Sequence, residues 1–229
     1  MGWRNFEQKL ERLRRAEVPT LVVEPHSQPA VGSVALLSGS FDPMTVAHAA
    51  LADAASRVVD LVLLVYSART LPKEGGAPPS LLREMERLDV LERFCRRRHK
   101  TALALSSHGL LAEQVAAART VFPTQPLFLV MGSDKVLQVL DPKWYEDRAA
   151  TLDALFREAS ILYADRAGEE RAVEAALKRP ANAAWAGRFT RLDVAADVAA
   201  VSSRSVRTLL EAGKEVTGLV VEEARPYLR

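Results

Sequence analysis

Short apolar runs alternate with amphipathic helical segments along most of this chain, and this alternation is the feature that most constrains its fold. The run VVDLVLLVY at 58–66 is apolar except for Asp60, which is typical of a parallel strand covered on both faces. Strands separated by helices form a parallel sheet through right-handed crossovers. The sequence therefore predicts an α/β fold with a single Rossmann-like, doubly wound parallel sheet and helices on both faces. The other strands are predicted at 33–38, 101–106, 127–131, 160–164 and 189–194, and helices at 45–57, 80–97, 109–120, 143–158, 168–178 and from Ser202.

The first thirty or so residues precede this alternation. Phe6, Leu10 and Leu13 recur at helical spacing within 3–16, which predicts an amphipathic helix. Residues 21–24 form a candidate short strand. We expect residues 1–32 to form an N-terminal helical extension and linker, and 33–229 to form the Rossmann-like domain.

Composition excludes several classes of function. The formal net charge of the 229 residues is +2, too small to indicate a nucleic-acid binder. The one dense basic cluster, 96–100, falls where a helix is predicted to end, a position that suits cations. A membrane span needs about eighteen or more consecutive apolar residues, and no such run is present. A lone cysteine, Cys95, and an N-terminus without the apolar core of a signal peptide favour the cytoplasm. The sequence leaves a homo-oligomer open.

A first candidate site is GSFDPMTVAHAAL at 39–51, where a predicted strand meets a predicted helix. Gly39 permits a tight turn, and the helix that follows carries Thr45 and His48 in its first turn. Helix amino ends attract anions through unpaired N–H groups and the helix dipole. His48 is therefore a candidate donor to a phosphate oxygen, and the alternative is a buried histidine satisfied by a backbone carbonyl.

A second segment, VSSRSVRTLLEAG at 201–213, repeats this pattern. Serines stand at a helix start, and Arg207 follows one turn later. Two anion sites in one α/β chain suggest a nucleoside triphosphate as ligand.

Polar or small residues follow four predicted strands, where ligands bind in sheets of this kind. They are Gly39 and Ser40; Ser67 and Arg69; Ser106, Ser107 and His108; and Gly132, Ser133 and Asp134. We expect all of them at one edge of the sheet.

These motifs resemble a known family. GSFDPMTVAH is similar to the Gly-x-Phe-x-Pro-x-His/Thr-x-Gly-His signature of the nucleotidyltransferase superfamily, and VSSRSVR is similar to its second signature, Ser-Ser-x-x-Ile/Val-Arg. MGSDKVLQVLDPKWYED at 131–147 and PKEGGAPPSLLREMERLDVL at 72–91 resemble segments of the nicotinamide/nicotinate mononucleotide adenylyltransferases. The resemblance implies that a pyridine mononucleotide attacks the α-phosphorus of ATP, that pyrophosphate leaves, and that Mg²⁺ accompanies the phosphates.

The resemblance also implies roles for individual residues. Thr45 and His48 would bind the ATP phosphates, with His48 the main stabiliser of charge. Arg207 would grip the β- and γ-phosphates from the other side with Ser202 and Ser203. The resemblance also implies ATP binding by Gly39, Ser40, Phe41 and Lys73. It implies mononucleotide binding by Gly132, Asp134, Trp144 and Tyr145.

Several of these residues have a structural interpretation as well as a functional one. Asp134 suits a ribose hydroxyl or a place beside the metal, but also a helix N-cap. Trp144 suits stacking on a pyridinium ring, but also ordinary core packing. Lys73 and Arg69 are candidate phosphate ligands or solvated loop cations. The roles of Arg87 and His108 are open.

The chain departs from the family pattern at two positions: Thr45 replaces the first His, and Ala47 replaces the usual Gly. The choice between nicotinamide and nicotinate stays open. Two other functions compete: another nucleotidyltransferase, acting on phosphopantetheine or forming a CDP-alcohol, and a nucleotide-binding protein without catalysis.

Overall fold

Seven strands form one twisted sheet in the computed structural model, which describes residues 3–25, 31–69, 80–166 and 169–228. Six strands are parallel, and the first pairs antiparallel with the fourth at one edge. The spatial order is β1-β4-β3-β2-β5-β6-β7. The strands are β1 (Leu21–Val23), β2 (Val34–Ser38), β3 (Leu61–Ser67), β4 (Thr101–Ser106), β5 (Leu127–Gly132), β6 (Ala159–Ala164) and β7 (Phe189–Arg191).

Helices cover both faces of the sheet, so the predicted doubly wound α/β architecture is confirmed. Apolar side chains that alternate along each strand enter two separate clusters; Leu37 and Val62, for example, face one, and Leu36 and Leu61 face the other. The helices within the described ranges are α1 (Trp3–Arg15), α2 (Val46–Ala55), α3 (Glu84–Arg96), α4 (Leu111–Val121), α5 (Ser133–Leu140), α6 (Arg148–Glu158), α7 (Glu170–Leu177), α8 (Ala196–Ala199) and α9 (Ser203–Glu211).

The segment between β5 and β6 differs most from the sequence prediction. The helix predicted over 143–158 is divided into a 3₁₀ turn at Pro142–Trp144 and α6. Asp147 separates them, because its carboxylate accepts a hydrogen bond from the Ala150 N–H at 3.0 Å and so caps α6. Helix α5 was not predicted. It buries Val136, Val139 and Leu140, a helical pattern too short to stand out in the sequence.

The N-terminal extension is built into the sheet. Phe6, Leu10 and Leu13 are buried as the helical spacing predicts, and β1 adds a strand beside β4. Lys9 and Glu24 join the helix to the strand through an ion pair of 2.6 Å. Within the described ranges, every helix is too short or too polar to cross a membrane.

The basic cluster at the end of α3 makes structural contacts. Arg97 pairs with Glu222 at 2.8 Å, and Arg98 pairs with Asp53 at 3.2 Å. Lys100 donates to the Ser56 carbonyl at 3.0 Å, just beyond the C-terminus of α2. The cluster therefore holds α3 against its neighbours, in agreement with its predicted place at a helix end.

The strand order reverses between β2 and β5, which lie side by side although β3 and β4 separate them in the chain. Such a point opens a crevice beyond the carboxyl ends of the strands, because the connections leave toward opposite faces of the sheet. The loops after β2, β5 and β6 border this crevice, and the candidate site is built from them.

Candidate active site

The loop after β2 has a strained backbone held by an aromatic ring. Phe41 has φ of 47°, a left-handed conformation that is unusual for a residue with a side chain. Its ring is fully buried and lies 5.1 Å from the His48 ring, centroid to centroid. A Cβ at Gly39 would lie 3.2 Å from the Phe41 ring, so glycine lets the ring fold beneath the strand end. The loop thus fixes the start of α2 and the imidazole on it.

The position of the His48 ring defines its tautomer. Nδ1 accepts a hydrogen bond from the Thr45 backbone N–H at 3.0 Å, and the Thr45 hydroxyl lies 2.8 Å from the same nitrogen. Because Nδ1 is an acceptor, the proton of the neutral ring resides on Nε2. Thr45 itself is fully buried. The structure therefore places Thr45 behind the imidazole, where it orients the ring.

His48 is neutral near pH 7. Its pKa falls from 6.5 to about 4, mainly because burial disfavours the charged ring and to a lesser extent because of the Arg166 guanidinium nearby. A neutral imidazole with its proton on Nε2 is a hydrogen-bond donor and carries no positive charge. His48 can therefore stabilise an anion by a directed hydrogen bond, while cations must come from other residues.

Both sequence motifs border one cavity of about 140 Å³ at the switch point. Ligand pockets usually measure roughly 300–1,000 Å³, so this cavity accommodates a phosphate group and leaves the rest of a nucleotide on the open edge. The residues around it that matter here are His48, Gly132, Arg166, Ser202 and Ser203. The two helix starts predicted from the sequence therefore border the same cavity.

Helix α9 is fastened to the loop after β2. The Ser203 hydroxyl donates to the Pro43 carbonyl at 2.8 Å, and Arg207 Nη1 donates to the Asp42 carbonyl at 2.6 Å. Ser202 caps the helix by accepting from the Ser205 N–H at 3.0 Å. The Ser203 and Arg207 side chains, predicted as phosphate ligands, therefore also hold the two motifs together.

Arg166 is the residue that the sequence analysis missed. It follows β6, its backbone N–H donates to Ser133 Oγ at 2.9 Å, and its Nε lies 3.3 Å from Asp134 Oδ1. The guanidinium packs against the backbone at Gly132, where a Cβ would come within 3.1 Å of Nε. Arg166 was detectable from the sequence, because the strand-end argument applied to four strands extends to β6.

Asp134 lies in the first turn of α5, and Gly132 occupies the N-cap position that was the alternative for this carboxylate. Its Oδ1 is buried and, among the described residues, has no hydrogen-bond partner, although Arg166 is close enough for an ion pair. A buried oxygen of this kind is costly unless it is paired. Arg166 therefore supplies the charge partner of this oxygen, and a ligand could contact only the exposed part of the Asp134 side chain, 38% of its surface.

The aromatic pair at 144–145 divides into two roles. Trp144 is 41% exposed on the 3₁₀ turn, and Lys143 Nζ lies 4.9 Å from its ring centroid. Tyr145 donates its hydroxyl to the Val139 carbonyl at 2.7 Å and packs on the apolar cluster. Trp144 is available for stacking, whereas Tyr145 anchors the segment that carries it.

Two residues whose roles the sequence left open, Arg69 and His108, contact each other beside the N-terminal extension. Arg69 donates to the carbonyls of Arg14, at 2.7 Å, and of Ala16, just after the last turn of α1. Its Nη1 lies 3.1 Å from His108 Nε2. Arg69 therefore fastens the end of α1 to the end of β3, and His108, after β4, contacts Arg69. Lys73 falls outside the described residues.

Arg87 reaches the site loop from α3. Its guanidinium lies 5.4 Å from the Tyr66 ring centroid, and Nη1 donates to the Ser40 carbonyl at 3.4 Å. Arg87 therefore supports the backbone of the loop after β2 beside Gly39, while Arg207 supports the same loop at Asp42.

The fold and this site define a nucleotidyltransferase. The family model described as Cytidylyltransferase-like matches residues 36–209. A probable nicotinate-nucleotide adenylyltransferase of Bordetella pertussis is 29% identical over 217 residues, with 86% of this chain and 95% of that protein covered. A probable nicotinate-nucleotide adenylyltransferase of Thermus thermophilus is 35% identical over 134 residues, covering 54% of this chain and 69% of that one. Within the cytidylyltransferase-like proteins, the chain belongs to the nicotinamide/nicotinate mononucleotide adenylyltransferase family.

Solved structures share the fold. A Plasmodium falciparum nicotinic acid mononucleotide adenylyltransferase complexed with NaAD superposes with a TM-score of 0.60 at 12% identity. The alignment covers 85% of this chain and 93% of that one. At this identity the likeness concerns the architecture alone.

Proposed function

We propose that this protein transfers the adenylyl group of ATP to nicotinate mononucleotide, giving the deamido form of NAD and pyrophosphate. The observation that carries the proposal is the shared cavity: His48, on the first motif, and the amino end of α9, on the second, border the same phosphate-sized space. Helix amino ends and directed N–H donors are the groups that bind polyphosphate.

The reaction needs no covalent intermediate with the protein. An oxygen of the mononucleotide 5′-phosphate forms a bond to the α-phosphorus of ATP, and the bond from that phosphorus to the bridging oxygen breaks. Pyrophosphate leaves with the electron pair. Catalysis then consists of alignment of the two phosphates and stabilisation of the charge that develops on the oxygens.

His48 supplies the directed donor in this proposal. Its Nε2–H points away from the Thr45 contacts and is preorganised for a phosphate oxygen. Because the ring is neutral, the positive charge comes from Arg166 on the cavity wall and from Arg207 on α9. Mg²⁺ enters as part of the substrate, bound to the ATP phosphates. In the described ranges, no cluster of three or more His, Cys, Asp or Glu side chains could hold a metal ion.

In this proposal the mononucleotide binds on the β5 side of the crevice. The partly exposed Asp134 side chain is the candidate acceptor for a ribose hydroxyl, and the exposed Trp144 ring offers a stacking surface for the pyridine. The relatives from Bordetella and Thermus are both described as probable nicotinate-nucleotide adenylyltransferases, which supports nicotinate as the pyridine.

Pyrophosphate release from ATP and Mg²⁺, measured with each mononucleotide in turn, tests this proposal. We expect pyrophosphate release when ATP and a mononucleotide are both present, and a higher kcat/KM for nicotinate than for nicotinamide mononucleotide. Turnover with nicotinamide mononucleotide but not with nicotinate mononucleotide would reverse the substrate assignment. If neither mononucleotide gives pyrophosphate release while ATP still binds, the result would favour a non-catalytic protein.

The His48→Ala variant tests the catalytic role. Loss of one preorganised donor lowers kcat by about 10²–10³. His99→Ala is the matched control, because His99 is exposed and precedes β4 at the opposite edge of the sheet. An unchanged kcat in His48→Ala would remove the imidazole from the mechanism.

A further inference from the structure

The Asp42 carboxylate joins three separate parts of the chain. Oδ1 accepts from the Leu82 N–H at 2.8 Å, and Oδ2 accepts from the Ser80 hydroxyl at 2.9 Å and the Leu81 N–H at 3.2 Å. Arg207 Nη1 lies 3.4 Å from Oδ2. One side chain in the loop after β2 thus holds both the segment before α3 and the second turn of α9.

This pair is enclosed by the protein. The Arg207 and Asp42 side chains are only 11% and 8% exposed. A guanidinium so enclosed would be costly without a nearby carboxylate, and Asp42 supplies it. Asp42 therefore holds the Arg207 guanidinium with two groups, its backbone carbonyl at 2.6 Å and its carboxylate at 3.4 Å.

Within the described ranges, the contacts of Arg207 with Asp42 use only one arm of its guanidinium fork. Both contacts with Asp42, to its carbonyl and to Oδ2, use Nη1. The guanidinium has five N–H donors in a rigid plane, so fixing Nη1 also fixes the directions of Nε and Nη2. Ser203, four residues earlier on the same face of α9, borders the cavity. The other arm of the fork is thus held one helical turn from the phosphate space.

We propose that Asp42 is a positioning residue that aims Arg207 at a polyphosphate held between His48 and the start of α9. This inference rests on the proposed function in one respect only, the presence of a polyphosphate in the cavity. Asp42 acts through Arg207 and does not touch the substrate.

Asp42→Asn separates this role from simple packing. The asparagine oxygen can still serve the Leu82 N–H, but its NH₂ group replaces the oxygen that faces Ser80, Leu81 and Arg207. Ser80→Ala is the matched control, since it removes one donor to the same oxygen and leaves Arg207 in place.

Calorimetric binding of inorganic tripolyphosphate to the full chain tests the inference. We expect Asp42→Asn to weaken binding about tenfold, the effect of roughly one charge-assisted contact, and Ser80→Ala to leave the affinity unchanged. In an Arg207→Ala background, Asp42→Asn should have little further effect, because the two changes remove one interaction.

Equal weakening by Asp42→Asn in both backgrounds would overturn the inference, as would no weakening in either or the absence of tripolyphosphate binding to the wild type. If Asp42→Asn does not fold, Arg207→Lys replaces it as the test. Lysine keeps the charge but loses the fork, so its affinity should match that of Arg207→Ala, and wild-type affinity would contradict a positioning role. This binding measurement contains no nucleotide and does not depend on turnover. Its result can therefore be interpreted even if the protein does not catalyse adenylyl transfer.

Discussion

Replacement of Arg166 by glutamine should raise the pKa of His48 by a bounded amount. The imidazole pKa falls from 6.5 to about 4, with burial the larger cause and the Arg166 charge the smaller. Removal of the guanidinium charge should therefore recover only the smaller part of the drop. In the Arg166→Gln protein, we expect the His48 titration midpoint above 4 but still well below 6.5.

NMR titration of the histidine ring signals measures this directly. The sequence has four histidines, and a His48→Gln spectrum identifies the signal of interest. In the wild type, the His48 signal should stay in its neutral form from pH 8 to well below 6, with the proton on Nε2. A midpoint near 6.5 in the wild type would refute the burial argument. An unchanged midpoint in Arg166→Gln would show that the guanidinium does not act on the ring.

Three other outcomes follow from the same contacts. Thr45→Val removes the hydroxyl beside Nδ1 but keeps the backbone N–H, so kcat should fall about fivefold, the effect of roughly 1 kcal/mol; no change in steady-state kinetics would assign the orientation to the backbone alone. Trp144→Ala should raise KM for the mononucleotide several-fold and leave ATP affinity and melting temperature nearly unchanged, because the ring is 41% exposed; equal losses for both substrates would indicate a packing role. Finally, the low folded pKa of His48 means that the unfolded chain binds more protons between pH 4 and 6.5. Stability against urea should therefore be complete above pH 6.5 and decline toward pH 4, and His48→Gln should flatten that decline; a parallel decline in both proteins would contradict the linkage.

Most of the fold could be predicted because buried parallel strands leave a simple signal. Largely apolar runs such as 58–66 mark strands covered on both faces. The observed strand β3, Leu61–Ser67, begins just after Asp60 and ends one residue beyond the predicted run. The region 133–158 was harder. Helix α5 has only eight residues, and the cap at Asp147 that begins α6 depends on a side-chain hydrogen bond that spacing alone does not reveal.

The site was predictable at the level of motifs and less so at the level of roles. The helix starts at His48 and Ser202 were recognisable because glycine, serine and threonine turns have local physical causes. The orienting position of Thr45 behind the imidazole and the contact of Arg207 with Asp42 depend on where residues distant in the chain meet. The contribution of Arg166 depends in the same way on β6 lying beside β5.

The N-terminal extension shows the same limit. Its amphipathic helix was evident from Phe6, Leu10 and Leu13. Its attachment to Arg69, which in turn contacts His108, was not evident, because both residues also had the character of substrate ligands at strand ends. Only the folded arrangement shows that the carbonyls at the end of α1 already occupy Arg69.

The central claim is that one polyphosphate lies between the His48 imidazole and the amino end of α9. A crystal structure of the protein with a non-hydrolysable ATP analogue and Mg²⁺ tests it most directly. The account predicts His48 Nε2 within about 3.2 Å of a phosphate oxygen, with Ser202 and the first turn of α9 on the opposite side of the same phosphate chain. A triphosphate bound elsewhere on the sheet edge, or an imidazole turned so that Nε2 faces away from it, would contradict the account.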